Sequence, residues 1–294
     1  MKEFELLKIA EEIFGNEDID VPAGKHDAAF LRYKDDFLVL TCDTVNEISD
    51  FPKFMEPEEY GKMAVAVTLS DLAGSGAKPL VFLNSISLRE PDEGLLRKIM
   101  LGIKEWAEKF DVKVAGGDID FSPIITISGF AIGRAKRILT RHGAKVGDKV
   151  FITDNLGKAQ LCLKMLEKGF RRSELPYAQK LYTPEPRISE GIKISEFANA
   201  LTDISDSLAI SANLIAKASG VKIIIERRKL DLSHLTDFVS EEEAIELFLY
   251  GGGDYELLFT AEDSDLGIEI GRVEKGQGVY LDRKIVPFRG YSHF

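Results

Sequence analysis

Six aspartates are the residues of this chain best suited to chemistry, because each adjoins an apolar segment. A carboxylate in such a place loses hydration, which is costly unless hydrogen bonds or a cation compensate. Mg²⁺ takes about six oxygen ligands at roughly 2.0–2.1 Å and is commonly shared between carboxylates and substrate phosphates. We therefore predict several magnesium ions that hold a polyphosphate. The six residues are Asp27, Asp43, Asp71, Asp118, Asp203 and Asp206.

Two of these acids follow a serine, one in each half of the chain. Ser70-Asp71 interrupts the apolar run of residues 65–77, and Ser205-Asp206 precedes the apolar run of residues 209–216. Either pair also suits an ordinary helix N-cap, in which a side-chain oxygen accepts a backbone N–H. The similar placement of the other acids favours the interpretation that both pairs face one cleft.

The common glycine-rich phosphate loops are absent from the sequence. The Gly-Lys pairs at residues 24–25, 61–62 and 157–158 lack the Walker spacing, and no Gly-x-Gly-x-x-Gly follows a predicted strand. The remaining candidates for phosphate are backbone amides at Gly116-Gly117, helix N-terminal amides near Ser205, and the guanidinium of Arg141.

The composition argues against several classes of protein. The 49 acidic residues exceed the 38 basic ones and give a net charge of −11, which disfavours general binding to nucleic acid or an anionic membrane. No apolar run has the length of a membrane span, and the first residues begin an amphipathic pattern instead of a signal peptide. Cys42 and Cys162 are expected in the core, without a disulfide or a zinc site. We expect a cytoplasmic protein.

The elements that must position the acids alternate between helix and strand, which predicts an α/β or α+β fold. A helix is predicted to begin near Pro57 and run into Ser70-Asp71, where Gly74, Gly76 and Pro79 end it, and another is predicted near residues 206–219, just after Asp203. Strands are predicted at residues 28–31, 37–42, 80–88, 112–115 and 123–132 in the first half. Glycines in residues 141–148 mark a junction, so we predict two domains, 1–138 and 139–294.

Seven short motifs in this order resemble the thiamine-monophosphate kinase family over nearly the whole chain. They are residues 70–73, 76–79, 116–118, 141–148, 203–208, 252–257 and 290–294. The resemblance implies a two-domain fold like that of aminoimidazole ribonucleotide synthetase, whose N-terminal domains pair across a homodimer into a β-barrel with ATP at its edge. It also implies Mg²⁺-dependent transfer of the ATP γ-phosphate directly to thiamine phosphate, which gives thiamine diphosphate without a phosphoenzyme.

The resemblance assigns roles to individual positions, and it implies no catalytic nucleophile. The magnesium ligands it implies are Asp27, Thr41, Asp43, Asp71, Asp118, Asp203 and Asp206. ATP would contact Gly117, Asp118, Arg141 and Ser205. The acceptor would contact Tyr291 and the positions of Asp50 and Gly253.

This chain departs from the family pattern at several of these positions. His26 replaces an acid beside Asp27, which predicts a weaker metal site, and Cys42 replaces a threonine. Asp50 replaces a histidine and Gly253 an acid, both at the acceptor, which predicts weak activity on thiamine phosphate or another acceptor. Two alternatives therefore stay open. One is a related phosphotransferase or synthetase of the same fold, and the other is a dimeric nucleotide-binding protein without turnover.

Overall fold

The protein contains two β-sheets. The structure is a computed structural model that describes residues 3–15 and 18–292. His293 and Phe294, the end of the last motif, lie outside the described residues. The strands of the first sheet are β1 (Ala29–Tyr33), β2 (Asp36–Asn46), β3 (Lys78–Leu88), β4 (Lys113–Phe121) and β5 (Thr126–Ala135). Their spatial order is β1-β2-β5-β3-β4, and only the β3–β4 pair is parallel. The sheet is open within a single chain, so β4 is an edge strand.

Helices cover one face of the first sheet. They are α2 (Pro57–Gly74) and α3 (Glu93–Lys109), whereas α1 (Glu3–Phe14) opens the chain. Pro57 and a capping box between Glu56 and Glu59 start α2, as predicted from the proline. The two covering helices pack closely because of Gly61 and Gly102. A Cβ atom at Gly102 would lie 1.8 Å from the Glu58 carbonyl oxygen, so no larger residue fits there.

The second sheet follows residue 148 and has the order β12-β11-β8-β10-β6-β9-β7. Its strands are β6 (Lys149–Ile152), β7 (Ala200–Ile204), β8 (Lys222–Ile225), β9 (Glu256–Ala261), β10 (Ile268–Glu274), β11 (Gly278–Leu281) and β12 (Lys284–Ile285). The helices of this half are α4 (Lys158–Glu167), α5 (Ala178–Tyr182), α6 (Ile188–Ile194), α7 (Leu208–Ser219), α8 (Ser233–Thr236) and α9 (Glu241–Tyr250). The predicted mixture of helix and strand is confirmed. No helix in the described ranges is both long and apolar enough to cross a membrane.

The end of α2 packs directly on β7 and α6, which joins the two halves. A Cβ atom at Gly74 would lie 2.6 Å from the Asp203 backbone nitrogen. A Cβ atom at Gly191 would lie 2.3 Å from the Ala73 carbonyl oxygen. Both glycines are therefore required for close backbone approach, and this contact sets the distance between Asp71 on α2 and Asp203 on β7.

Three sequence-based predictions of local structure are wrong in detail. Asp203 lies inside β7, a strand whose five residues are all buried, instead of at the start of a helix. Gly117 and Asp118 lie within β4, which continues to Phe121 instead of ending before them. Cys42 is exposed, although its apolar neighbours predicted a core position. In each case non-local strand pairing decided the outcome, which local apolar pattern cannot report.

Candidate active site

Three of the predicted acids converge where the two halves meet. Asp27 precedes β1, Asp71 lies near the end of α2, and Asp203 is in β7. One carboxylate oxygen from each lies within 4.8 Å of the others. Such a separation allows all three carboxylates to face one divalent cation, because each is a hard oxygen donor of the kind that Mg²⁺ prefers.

Hydrogen bonds hold each of these carboxylates in place. Ser70 Oγ donates to Asp203 Oδ2 at 2.6 Å, which connects the two halves across α2 and β7. The Thr41 hydroxyl donates to Asp71. The serine of the Ser70-Asp71 pair is thus a positioning group inside a helix and not an N-cap.

Asp27 is held by two groups from the second half of the chain. Thr202 Oγ1 donates to Asp27 Oδ2 at 2.8 Å, and the Arg141 guanidinium forms an ion pair with Oδ1. Burial raises the pKa of Asp27, but the positive charge of Arg141, the adjacent His26 ring and the hydrogen bond from Thr202 outweigh burial, so the net pKa is lowered. Asp27 is therefore ionised at neutral pH.

The pKa values of the other two carboxylates, Asp71 and Asp203, are raised instead of lowered. Burial, followed by the charge of Asp27, raises the pKa of Asp203 to about 8. Burial and the charges of Asp43 and Asp203 raise the pKa of Asp71 well above its ordinary value. Without a cation the protonated forms of both groups are favoured, because their negative charges are close and poorly hydrated. The donor chemistry of this cluster therefore fits a divalent cation.

A cavity of about 590 Å³ opens in front of the cluster. Several residues predicted for metal, nucleotide or acceptor line it together with Asp27, Asp71 and Asp203. They are Asp43, Asp50, Arg141, Ser205, Asp206, Gly253 and Tyr291. The C-terminal segment closes one side, since the Tyr291 N–H donates to the Asp206 carbonyl oxygen at 3.2 Å. The expectation that both Ser-Asp pairs face one cleft agrees with this geometry.

Three predicted residues do not line this cavity: Thr41, which instead hydrogen-bonds Asp71, and Gly117 and Asp118 on β4. Gly117 and Asp118 are exposed on β4, where Asp118 lies opposite Ser85 in the β3–β4 ladder. Strands β5 and β3 lie between β4 and β2, which carries Asp43. Neighbouring strands are about 4.8 Å apart, so this separation is roughly 14 Å.

Asp50 and Gly253 each have a structural reason for the residue present. Asp50 Oδ2 accepts from the Asn46 N–H at 2.8 Å and from Ser49 Oγ at 2.6 Å, so it stabilises the turn after β2. Gly253 has φ +85°, and its N–H donates to the Ser205 carbonyl oxygen at 2.7 Å. A residue with a side chain would be strained at this φ, which favours glycine over an acid.

His26 occupies the position where an acid was expected. Its ring is fully buried, and its Nδ1 lies 3.6 Å from Asp27 Oδ2. Burial is the main cause that lowers its pKa to about 4, so the ring is neutral at pH 7. The replacement therefore removes one negative charge from the site without adding a positive one.

Sequence reasoning missed three residues that shape the site. Tyr255 lines the cavity, Thr202 binds Asp27, and Gly74 sets the approach of α2 to β7. Tyr255 was visible only as part of the motif at residues 252–257. Thr202 and Gly74 gave no signal of their role, since a threonine in a strand and a glycine at a helix end are ordinary.

The first half of the chain matches a family model. Residues 25–135 match the family model described as AIR synthase related protein, N-terminal domain. This segment includes the whole first sheet with α2 and α3, and it carries Asp27 and Asp71.

Whole-chain comparisons are more specific. The thiamine-monophosphate kinase of Archaeoglobus fulgidus is 60% identical over 100% of this chain and 98% of its own. A solved structure of AaThiL complexed with AMPPCP and TMP is 34% identical, with a TM-score of 0.90 over 100% of this chain and 98% of that chain. The crystal structure of the Aquifex aeolicus thiamine monophosphate kinase has a TM-score of 0.85 at 34% identity, over 97% of this chain and 99% of that chain. The chain therefore belongs to the thiamine-monophosphate kinase family.

Proposed function

We propose that this protein is a thiamine-phosphate kinase, which phosphorylates thiamine phosphate with ATP and forms thiamine diphosphate and ADP. The observation that carries the proposal is the whole-length likeness to AaThiL complexed with AMPPCP and TMP, an ATP analogue and thiamine monophosphate. The cavity at the junction of the two halves supports the proposal, because most of the predicted metal-binding and substrate-binding acids line it. Neither alternative raised by the sequence has a specific observation in its favour.

In the reaction, a phosphate oxygen of thiamine phosphate attacks the γ-phosphorus of ATP in line. A new P–O bond forms, the bond from the γ-phosphorus to the β,γ-bridging oxygen breaks, and that oxygen leaves on ADP. Such a transfer requires positioning and charge neutralisation more than a protein nucleophile. Arg141 is placed to contribute positive charge near the transferred group, because it already lies against Asp27 at the cluster.

Magnesium would bind at the carboxylate cluster of Asp27, Asp71 and Asp203. Asp43 and Asp206 line the same cavity and are proposed as further ligands, and Thr41 supports Asp71. When bound, Mg²⁺ neutralises phosphate oxygens and orients the polyphosphate. Ser205 is proposed to contact ATP, and Tyr291 the acceptor, from the wall that the C-terminal segment completes.

We also propose a homodimer formed through the first sheet. The face opposite α2 exposes large apolar side chains, and β4 is an edge strand that is exposed along its whole length. Leu40, Leu83 and Phe130 are exposed on that face, and Ile119 and Phe121 are exposed on the edge strand β4. An uncovered apolar face with an unpaired edge favours association with a second copy. The dimer-spanning barrel and the contribution of Gly117 and Asp118 to a partner's ATP site belong to this proposal.

The domain division and the location, both predicted from the sequence, remain proposals. The division into domains 1–138 and 139–294 agrees with the positions of the two sheets and is proposed on that ground. A cytoplasmic location stays a prediction. The residue types at positions 50 and 253 are explained by local structure: Asp50 stabilises a turn, and Gly253 has a positive φ. We therefore do not take these two departures as signs of another acceptor, and we propose thiamine phosphate.

The proposal is tested by incubating the protein with ATP, Mg²⁺ and thiamine phosphate while thiamine diphosphate and ADP are measured. We expect equal amounts of both products, and little ADP when thiamine phosphate is omitted. Asp71→Asn should reduce turnover at least a hundredfold, because one ligand of the cluster is lost. Asp263→Asn is the matched control, since Asp263 is exposed and pairs with Lys149. A wild type that releases ADP without forming thiamine diphosphate would refute the proposal.

A further inference from the structure

Tyr255 lines the cavity in a backbone conformation that is unusual for an aromatic residue. Its φ is +52°, in the left-handed region, and its side chain is half-buried at the cavity wall. A bulky non-glycine residue seldom adopts this region, and such residues are concentrated at functional sites where the surrounding structure holds them.

The residue before Tyr255 is anchored to a helix terminus. Asp254 is 1% exposed, and its carboxylate accepts from the backbone N–H groups of Gly157 at 2.5 Å and Ala159 at 2.9 Å. These amides open α4, so Asp254 satisfies donors that the helix leaves without an internal partner. The anchor fixes the backbone on the N-terminal side of Tyr255.

The residue after Tyr255 is anchored by a buried ion-pair network. Glu256 is 0% exposed and accepts from Arg187 Nε and Nη2, each at 2.7 Å. Lys180 Nζ donates to Glu256 at 2.5 Å, and Thr153 Oγ1 donates at 2.6 Å. Two fully bound carboxylates thus flank Tyr255 and maintain its left-handed backbone.

Tyr255 lines the cavity together with Asp43, Asp50, Asp203 and Asp206, whose negative charges act on its hydroxyl. It therefore shares the cavity wall with the acids that would hold metal and with Asp50 in the turn after β2. The neutral Tyr255 hydroxyl can donate a hydrogen bond to a phosphate anion in this cavity. The surrounding carboxylates, in contrast, repel that anion unless a cation lies between them.

We propose that the Tyr255 hydroxyl donates a hydrogen bond to the phosphate of thiamine phosphate and orients it for attack on the ATP γ-phosphorus. The inference rests on the proposed function and names the group that binds the acceptor phosphate. The two anchors on Asp254 and Glu256 keep the donor in place before the substrate arrives, so little ordering is required at the moment of reaction.

The test is Tyr255→Phe, which keeps the ring and removes the donor. We expect kcat/KM for thiamine phosphate to fall roughly tenfold to a hundredfold, as for a lost hydrogen bond to a charged group. The KM for ATP and the Tm should stay close to wild type. Calorimetric titration of the protein with thiamine phosphate, in the presence of AMPPCP and Mg²⁺, should show weaker binding of the acceptor. Tyr280→Phe is the matched control, because Tyr280 lies on β11 and does not line the cavity.

Two results would overturn the inference. One is an unchanged kcat/KM for thiamine phosphate in Tyr255→Phe. The other is a loss that affects the KM for ATP or the Tm as much as the acceptor, which would indicate a structural role only. Failure of the proposed function is distinguished by the wild type itself, which would then form no thiamine diphosphate.

Discussion

At the scale of single residues, the protonation of Asp203 is central to the site. Its carboxylate lies in a strand whose residues are all buried. Ser70 gives it one hydrogen bond, but burial and the charge of Asp27 still favour its protonated form. The ionised form of such a group is unfavourable in the metal-free protein, and a bound cation would stabilise it. The same holds for Asp71, so the site costs stability until it is filled.

This electrostatic cost predicts a pH dependence of stability. The pKa of Asp203 is raised from the ordinary 3.8 to about 8, so the folded chain binds this proton more tightly than the unfolded chain. Its contribution is complete below the ordinary value and is lost as pH rises through the folded value. We expect the Tm of the chelator-treated protein to fall between about pH 5 and pH 8. The fall should be smaller in Asp203→Asn, and Mg²⁺ should reverse it in the wild type.

Scanning calorimetry across this pH range measures the effect. Asp263→Asn again serves as the control, because this exposed carboxylate pairs with Lys149 and does not line the cavity. Identical pH slopes for wild type and Asp203→Asn would contradict the assignment of the raised pKa to this residue.

At the scale of elements, the contact between α2 and β7 determines whether the carboxylates can share an ion. Gly74 has no room for a Cβ atom, because the Asp203 backbone nitrogen would lie 2.6 Å from it. The glycines of α2 therefore serve the site as well as the helix packing.

Gly74→Ala should push α2 away from β7 and separate Asp71 from Asp203. We expect a loss of about 1–3 kcal/mol in the free energy of unfolding, as for other overpacked sites. We also expect weaker Mg²⁺ binding, measured by titration calorimetry. Gly94→Ala is the matched control on α3, where the nearest atom to the new Cβ is 3.4 Å away. That variant should be as stable as wild type or slightly more so. Wild-type Mg²⁺ affinity in Gly74→Ala would argue against the role of this contact.

At the scale of the whole molecule, the open first sheet predicts that activity depends on assembly. Phe130 projects from the uncovered face and is 42% exposed, and Asp118 lies on the outermost strand. If a second copy covers this face, the residues that the chain does not bring to its own cavity reach the cavity of the partner.

Phe130→Glu should therefore convert a dimer into a monomer and reduce kinase activity, because a charge would be buried in the apolar interface. Light scattering at micromolar concentration measures the mass. Ile285→Glu is the control, since Ile285 is 68% exposed on the edge of the second sheet. A monomeric wild type with full activity would refute the interface.

A complementation experiment separates assembly from the site itself. Asp118→Asn and Asp71→Asn should each be inactive alone. Mixed dimers of the two should recover about a quarter of wild-type activity, because half the dimers are hybrid and each hybrid has one intact site. No recovery on mixing, with hybrids verified by mass spectrometry, would place Asp118 outside the partner's site.

The sequence by itself determined the elements and the type of chemistry. The proline and glycine at its ends predicted the bounds of α2, and the cost of carboxylates in apolar segments identified Asp27, Asp71 and Asp203. These signals are local: helix termination, turn residues and hydration cost depend on a few neighbouring positions.

Only the tertiary structure decided which of the acids share a site. Asp118 adjoins an apolar segment like the others, but the strand order β1-β2-β5-β3-β4 places it far from Asp43. The strand β7 was missed because all its side chains are buried, so it lacks the alternation that marks a strand. The role of Tyr255 depends on a positive φ that Asp254 and Glu256 hold through partners about 70 to 100 positions away in the chain. Such contacts between distant segments have no signature in the local order of residues, because they arise when the chain packs.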